Sequence, residues 1–359
     1  MSVALAAAGT GGHVYPALAV ADALVAAGTK RDDIVFFGGS RMEAETVPEA
    51  GYDFVEVEIR GLRRSLSLSN LSLPRMVWQA ADRIKTEMRS RDVTITCVFG
   101  GYIAVPAALA ARRAGSKIIV HEQNAYPGLA NRLVSPWALE TLVAFPEALP
   151  RFRRSREVGN PLRSALVNFD REALRDDARR RYGLSERGSV LGVLGGSLGA
   201  QVLNDATVCI AADSDPDDLE IIHLTGELHH THMAEVAMES SLRWITTAYE
   251  PEMEWFFAAS DVVLSRAGAL AVSELAATGT PSLLVPLEAT HQGENARFLE
   301  ESKAARVIRQ VEADRIPDEV QQLMNDKSRL VAMSRAALSV ATPRAAAEMA
   351  SVLLRSADD

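Results

Sequence analysis

Cysteine is scarce in this 359-residue chain: Cys97 and Cys209 are far apart, each in an apolar context. So small a supply excludes a disulfide framework and leaves buried, reduced thiols as the expectation. No apolar run approaches the ~20 residues that span a bilayer. Met1-Ser-Val-Ala-Leu-Ala-Ala-Ala lacks the basic start of a secretory signal and leads straight into a glycine loop. Positive charge is short as well. The net charge of −9 argues against nucleic acid as a partner. These absences together point to the cytoplasm. What remains, 48% hydrophobic and 24% charged, is a soluble globular composition, and the length predicts two domains. The charge is unevenly spread. Between Arg60 and Arg91 eight basic residues meet only Asp82 and Glu87, a local +6 on an otherwise acidic chain.

The most informative stretch runs from Val262 to Asn295. Val262-Val-Leu-Ser265 is a short apolar run ending at Arg266-Ala-Gly268. An apolar-periodic run follows, Gly279 and Pro281 stop it, and Ser282-Leu-Leu-Val-Pro286 begins another. The pattern predicts strand, tight turn, helix, strand. A glycine turn that opens into a helix at a strand's carboxyl end aims unpaired N–H groups and the positive helix dipole at one point, where anions bind. Glu274 lies about two turns into that helix, where a carboxylate accepts from a pair of sugar hydroxyls. Alone, it is better explained as a solvated helical residue. His291-Gln-Gly-Glu-Asn295 then ends the next strand at the same sheet edge. Phosphate cradle, ribose acceptor and hydroxyl-reading amides together imply a nucleotide-sugar.

The chain's first half opens in a similar way. Val3 to Ala8 reads as a buried strand, Gly9-Thr-Gly-Gly-His13 as its loop, and Pro16 as part of the first turn of a helix from Ala17 to Ala27. The loop lacks the last glycine of the dinucleotide fingerprint. The second strand, Ile34 to Phe37, ends in Gly38-Gly39-Ser40 with no acidic residue for an adenosine ribose, so a nicotinamide or flavin site is disfavoured. His13, with an ordinary pKa near ~6.5, is a candidate general base, although a His after glycines also serves simply to start a helix.

Asp53 to Ile59 alternates as a strand. Leu62 to Ser90 then sets Leu66, Leu68, Leu71, Leu73, Met76, Val77 and Trp78 among serines and arginines, a pattern shared by membrane-surface segments and by amphipathic helices packed on a sheet. Strands are expected at Thr94 to Phe99, before Gly100-Gly-Tyr102, and at Lys117 to Val120, before the polar His121-Glu-Gln-Asn124. Another is expected at Leu142 to Phe145. The basic run Arg151 to Arg156 and Gly159-Asn-Pro161 mark a linker.

Beyond the linker the pattern restarts with a helix from Asp170 to Tyr182 and a strand from Ser189 to Leu194. Gly195-Gly-Ser-Leu-Gly-Ala200 opens the next helix, with no Gly-Lys-Ser/Thr to make it a P-loop. Two βα series, each begun by a glycine loop, predict an α/β chain of two Rossmann-like domains facing across a cleft: residues 1–160, and residues 161–341, with a last helix after Thr342-Pro343 returning to the first. Asp213-Ser-Asp215 lies in an acidic turn, and His229-His230 with His232 has no carboxylate or Cys at ligand spacing. Neither is read as a metal site.

Gly9-Thr-Gly-Gly-His13 with Pro16-Ala-Leu-Ala19, Gly100-Gly-Tyr102, His121-Glu-Gln-Asn124 with Pro127-Gly128, and Gly159-Asn-Pro161 with Arg163 follow one another along the first half. Gly195-Gly-Ser197 with Gly199-Ala200, Arg266-Ala-Gly-Ala-Leu270 with Glu274, and His291-Gln292 with Asn295 follow along the second. In this order the chain resembles the MurG-type bacterial N-acetylglucosaminyltransferases of glycosyltransferase family 28. The resemblance implies a GT-B fold and an inverting transfer of N-acetylglucosamine from UDP-GlcNAc to the 4-hydroxyl of the muramyl sugar of undecaprenyl-linked lipid I, giving lipid II for peptidoglycan.

It further implies His13 as general base, Ser197 and the backbone of Ala269 and Leu270 at the diphosphate, Glu274 at the ribose, and Arg163 with the backbone near Glu250 at the uracil. His291, Gln292, Asn295 and Asn124 would meet the sugar. Thr10, Gly11 and Gly12 would touch the donor, Thr10 also lining the acceptor side with Tyr102, Glu122 and Asn204. No cofactor or dedicated metal site is implied, since helix dipoles can stabilise the leaving UDP. Arg63, Arg64, Leu71, Leu73, Arg75 and Trp78 become a docking surface for the anionic cytoplasmic face of the cell membrane.

Some positions depart from the family pattern. Ala271 stands for a usual Thr, removing a hydroxyl worth about a kcal/mol of donor binding. Ala104 stands for a usual Ser, Val105 for a small residue, Glu250 for an apolar one and Thr290 for an acidic one. Three other readings stay open: a UDP-GlcNAc epimerase of the same fold, another lipid glycosyltransferase, and a nucleotide-sugar-binding protein without catalysis.

Overall fold

The computed structural model describes residues 2–59, 73–196 and 198–358. Arg63, Arg64, Leu71 and Ser197 lie outside these residues, and Leu73 is described by its backbone alone. The chain divides into two compact units, Met1–Arg163 with Thr342–Asp359, and Ser164–Ala341.

In the first unit the chain runs β1 (Ser2–Ala6), α1 (Gly11–Ala26), β2 (Ile34–Gly38), α2 (Glu43–Glu49), β3 (Asp53–Glu56), α3 (Leu73–Ser90) and β4 (Val93–Val98). It continues through α4 (Ala104–Ala114), β5 (Lys117–Glu122), α5 (Leu129–Val134), β6 (Glu140–Val143) and β7 (Ser155–Glu157). The strands form one parallel sheet in the order β3-β2-β1-β4-β5-β6-β7. Both faces are covered, so successive residues of a strand enter different apolar layers. Val3 and Leu5 of β1 pack with Val14, Leu18 and Leu24 of α1, whereas Ala4 and Ala6 face the layer holding Ile84 and Met88 of α3 and Ala107 and Ala111 of α4.

The second unit contains α6 (Ser164–Val167), α7 (Arg171–Arg181), β8 (Ser189–Leu194), α8 (Gln201–Asp213), β9 (Leu219–Leu224), α9 (His230–Glu239) and β10 (Arg243–Thr247). Then come α10 (Met253–Ala259), β11 (Val262–Ser265), α11 (Ala269–Ala277), β12 (Ser282–Leu284), α12 (Gln292–Glu301), β13 (Ala305–Val307), α13 (Ile316–Asn325) and α14 (Lys327–Ser339). Its parallel sheet has the order β10-β9-β8-β11-β12-β13. The last helix, α15 (Ala345–Asp358), belongs to the first unit, where Met349, Val352 and Leu353 join the layer of α1.

Each sheet reverses its winding once, between β1 and β4 in the first unit and between β8 and β11 in the second. At such a point the loops leaving two neighbouring strands diverge, opening a crevice at the carboxyl edge where ligands bind. The glycine loops after β1, β4, β8 and β11 all lie there.

Several local expectations need correction. Helix α1 begins at Gly11, so Pro16 lies within it. Pro16 has no N–H to donate to the Gly12 carbonyl, so the helix forgoes one i→i−4 bond at that point. The expected linker contains β7, an edge strand paired only with β6. An exposed edge needs no apolar face, which is why its basic sequence concealed it. Cys97 is buried, and burial raises its thiol pKa, but Cys209 is exposed on α8. Its apolar neighbours mislead because a helix turns only part of its surface inward. Among the described residues no helix is long and apolar enough to cross a membrane.

Candidate active site

The loop after β1 delivers His13. Gly9 adopts φ +104°, open to glycine at little cost, and Thr10 is extended before the helix begins. The Thr10 carbonyl accepts from the amides of His13 at 3.0 Å and Val14 at 3.2 Å, and its Oγ1 lies 3.3 Å from His13 Nδ1. The imidazole packs over the loop after β4, where a Cβ on Gly100 would come within 3.1 Å of its Nε2. Burial lowers the His13 pKa to about 4, against an opposing pull from Glu43. The ordinary value near ~6.5 is therefore corrected. At neutral pH His13 is an uncharged imidazole, able to accept a proton.

Sequence reasoning missed Glu43. The first residue of α2, it is 0% exposed. Its Oε1 accepts from the Gly39 amide at 3.0 Å and the Tyr102 hydroxyl at 2.8 Å, and its Oε2 from the Gly9 amide at 3.2 Å. Burial and this carboxylate raise the Tyr102 pKa. The only available signal was indirect: Gly38-Gly39 leaves no side chain where Glu43 and Tyr102 must fit, since a Cβ on Gly39 would overlap the Tyr102 hydroxyl.

The strand β5 extends to Glu122, so His121 and Glu122 are strand residues and not loop residues. His121 is fully buried. Its Nε2 lies 3.0 Å from the Gly159 carbonyl and must donate to it, while Nδ1 accepts from the Gln123 side-chain amide at 3.1 Å. Burial lowers its pKa to about 4. Glu122 brackets the following loop. Oε1 accepts from the Asn124 amide at 3.0 Å and side chain at 3.2 Å, and Oε2 from the Gly128 amide at 3.0 Å and Asn131 Nδ2 at 2.9 Å. Burial raises its pKa despite these bonds. A carboxylate engaged in this way shapes the loop that carries Asn124. Arg163 stacks its guanidinium 4.7 Å from the Tyr15 ring.

In the second unit two loops are pressed backbone to backbone. A Cβ on Gly199 would overlap the Thr225 carbonyl, and one on Gly226 would overlap the Gly199 amide. Beside them β11 ends next to β8, where the Arg266 amide donates to the Leu194 carbonyl at 3.3 Å. Gly268 then starts α11 in extended conformation, with no atom within 4 Å of where its Cβ would stand. Ala269 and Leu270 thus occupy the first turn of a helix at the switch point, the geometry of an anion site. Arg266 turns inward, donating to the Val285 carbonyl at 3.0 Å.

Glu274 is 5% exposed on the same helix. The cluster His291 to Asn295 starts α12 and does not end a strand: β12 stops at Leu284 and His291 is the N-cap. It still meets the loop that leads into α11, because Asn295 Nδ2 donates to the Ala267 carbonyl at 3.2 Å; Gln292 Oε1 accepts from the Leu287 amide at 3.0 Å. His291 is exposed.

Two expected residues have other partners. Glu250 accepts from the Tyr182 hydroxyl at 2.6 Å and the Glu252 amide at 3.0 Å, so its carboxylate is structural. Asn204, placed by resemblance on the acceptor side, is 1% exposed inside the second unit, with Oδ1 3.0 Å from His223 Nε2. Of the expected membrane residues, Arg75 is exposed and Trp78 is 53% exposed with Arg113 stacked 4.3 Å from its ring.

The glycosyltransferase family 28 N-terminal domain matches residues 3–143 and the family 28 C-terminal domain residues 190–349. A UDP-N-acetylglucosamine–N-acetylmuramyl-(pentapeptide) pyrophosphoryl-undecaprenol N-acetylglucosamine transferase from Salinibacter ruber is 37% identical over 98% of this chain and 95% of its own. The chain belongs to glycosyltransferase family 28. The transferase of the same description from Caldicellulosiruptor saccharolyticus is 35% identical over 96% of this chain and 95% of its own. The crystal structure of MurG from Acinetobacter baumannii superposes with a TM-score of 0.76 at 26% identity, covering 99% of both chains. Two doubly wound units of this kind make the family 28 architecture a GT-B fold.

Proposed function

We propose that this family 28 enzyme moves N-acetylglucosamine from UDP-GlcNAc to the 4-hydroxyl of the muramyl sugar of lipid I, with inversion, to give lipid II. The observation that carries the reading is the presence, in one family 28 chain, of two differently equipped switch points. The first holds an uncharged His13 between glycine loops, and the second holds a helix N-terminus with a buried glutamate on the same helix.

The donor binds the second unit. Its diphosphate lies at the first turn of α11, with the Ser197 hydroxyl, and its ribose at Glu274. Gln292, whose Oε1 is engaged, offers its amide hydrogens to the sugar with His291 and Asn295. Negative charge grows on the UDP oxygen as the glycosidic bond breaks, and the helix dipole meets it without a dedicated metal. His13 takes the proton of the acceptor hydroxyl as that oxygen attacks the anomeric carbon.

Because the acceptor is lipid-linked, the enzyme works at the cytoplasmic face of the membrane. Exposed Trp78, Leu129, Leu133 and Trp137, the tryptophans stacked by Arg113 and Arg112 of α4, support a docking face on the first unit.

The test is transfer of radiolabelled sugar from UDP-GlcNAc to a short-chain lipid I analogue. Acceptor-dependent product is expected, and donor binding without product would sink the reading. His13→Ala should abolish turnover with donor affinity near wild type; an unchanged kcat would remove His13 as the base.

A further inference from the structure

Glu43 joins three loops with one buried side chain. Gly39 follows β2, Gly9 follows β1 and Tyr102 follows β4, and these strands are neighbours in the sheet. Two of the three loops form the slot of His13. Gly9 directly precedes Thr10, whose hydroxyl lies 3.3 Å from the imidazole Nδ1. Tyr102 follows Gly100 and Gly101, against which the imidazole packs. The chain keeps space for this arrangement: a Cβ on Gly38 would stand 2.8 Å from Glu43 Cγ, and one on Gly9 3.4 Å from the Tyr102 ring. Among the described residues the hydrogen-bond partners of Glu43 are two amides and a phenol, so no cation neutralises it directly.

We infer that Glu43 is a positioning residue for His13, clamping the loops that hold the imidazole and supplying the negative charge against which the imidazolium forms. The role rests on the transferase reading. The acceptor O–H bond breaks as an N–H bond forms on His13, and the new C–O bond forms as the bond to UDP breaks. A positive charge thus appears on His13 during the step, in surroundings that otherwise resist it.

The neighbouring groups are few. Tyr102 donates to Glu43, Arg41 lies over the Tyr102 ring at 5.7 Å, Glu56 acts on Tyr102, and His13 disfavours charge on His121. Among the described residues Glu43 is the carboxylate that raises the His13 pKa against burial.

Glu43→Gln keeps the shape and removes the charge. The expected result is a kcat lower by roughly tenfold to a hundredfold, a KM for UDP-GlcNAc within about twofold of wild type, and a His13 titration, followed by nitrogen-15 NMR in the free protein, moved to lower pH. Glu43→Asp keeps the charge and shortens the reach. It should leave the titration near wild type and give an intermediate kcat. Wild-type kcat in Glu43→Gln, or an unmoved titration, overturns the proposal. Should Glu43→Gln not fold, wild-type kcat in Glu43→Asp overturns the clamp. A wild-type enzyme that transfers nothing would sink the transferase reading, while the His13 titration would still decide whether Glu43 acts on the imidazole.

Discussion

The carbonyl of Gly159 accepts from Nε2 of His121 at 3.0 Å, while the α-carbon of the same glycine lies against Thr342, the residue that leads into the final helix. Gly159 has φ +90°, and a Cβ there would overlap the Thr342 side chain. Gly159→Ala should therefore combine backbone strain with overpacking and cost about 3 kcal/mol. Gly115 is the control. It has φ +84° with nothing within 4 Å of its Cβ position, so Gly115→Ala should cost only about 1 kcal/mol. Urea unfolding of the two variants checks the difference, and equal losses would show that Thr342 yields.

Stability should fall on acidification earlier than carboxylates alone dictate. Burial holds His121 at about 4 and His223 at about 3. A depressed pKa means that the unfolded chain takes up the protons first, so this stability is complete above about 6.5 and lost as pH falls through the folded values. At about 1.4 kcal/mol per unit, each imidazole contributes on the order of 3 to 5 kcal/mol. The urea midpoint should drop clearly between pH 7.5 and pH 5 (both approximate settings). A flat midpoint would mean that these imidazoles titrate normally.

Asn204 gives a test of resemblance against geometry. Asn204→Ala removes the partner of His223 Nε2, and His223 Nδ1 already has no partner among the described residues. The expected cost is about 1–3 kcal/mol of stability, with the KM for the lipid acceptor unchanged. A raised KM with normal stability would return Asn204 to the acceptor side.

The loop after β8, proposed to receive the diphosphate, should tolerate change at one glycine and not at another. Gly196 and Gly199 both have positive φ, at +83° and +78°, but only Gly199 is closed in, by the Thr225 carbonyl and His229. Gly199→Ala should weaken UDP-GlcNAc binding by about tenfold or more, and Gly196→Ala by far less. Calorimetry with UDP checks the ranking.

Trp78→Ala should reduce binding to anionic vesicles several-fold without altering turnover of a water-soluble acceptor analogue, since the side chain is exposed and far in sequence from the His13 loop. Unchanged vesicle binding would leave Trp78 as a lid on Arg113 and nothing more.

The parts of this protein that were legible in its sequence are those dictated by the backbone. Glycine loops after β1, β4 and β8 announce themselves because positive φ angles or close backbone approach favour glycine there, and the apolar runs between the loops give the order of strands. Glu43 was not legible, for its partners are contributed by positions 9, 39 and 102, and only the folded sheet brings them together. The burial of Asn204 was hidden for a similar reason: a motif gives neighbours along the chain, whereas the side of α8 that meets His223 is set by packing. The His13 pKa depends on desolvation, which no local pattern carries.

The return of α15 to the first unit has a consequence for the order in which the protein is made. Its apolar face completes the layer formed by α1 and β1, yet it is separated from them by the whole of the second unit. During synthesis the β1–α1 layer leaves the ribosome early and keeps an open apolar flank until the last helix follows. The unit that is begun first is therefore the one that is finished last, and the inserted unit has time to fold before it.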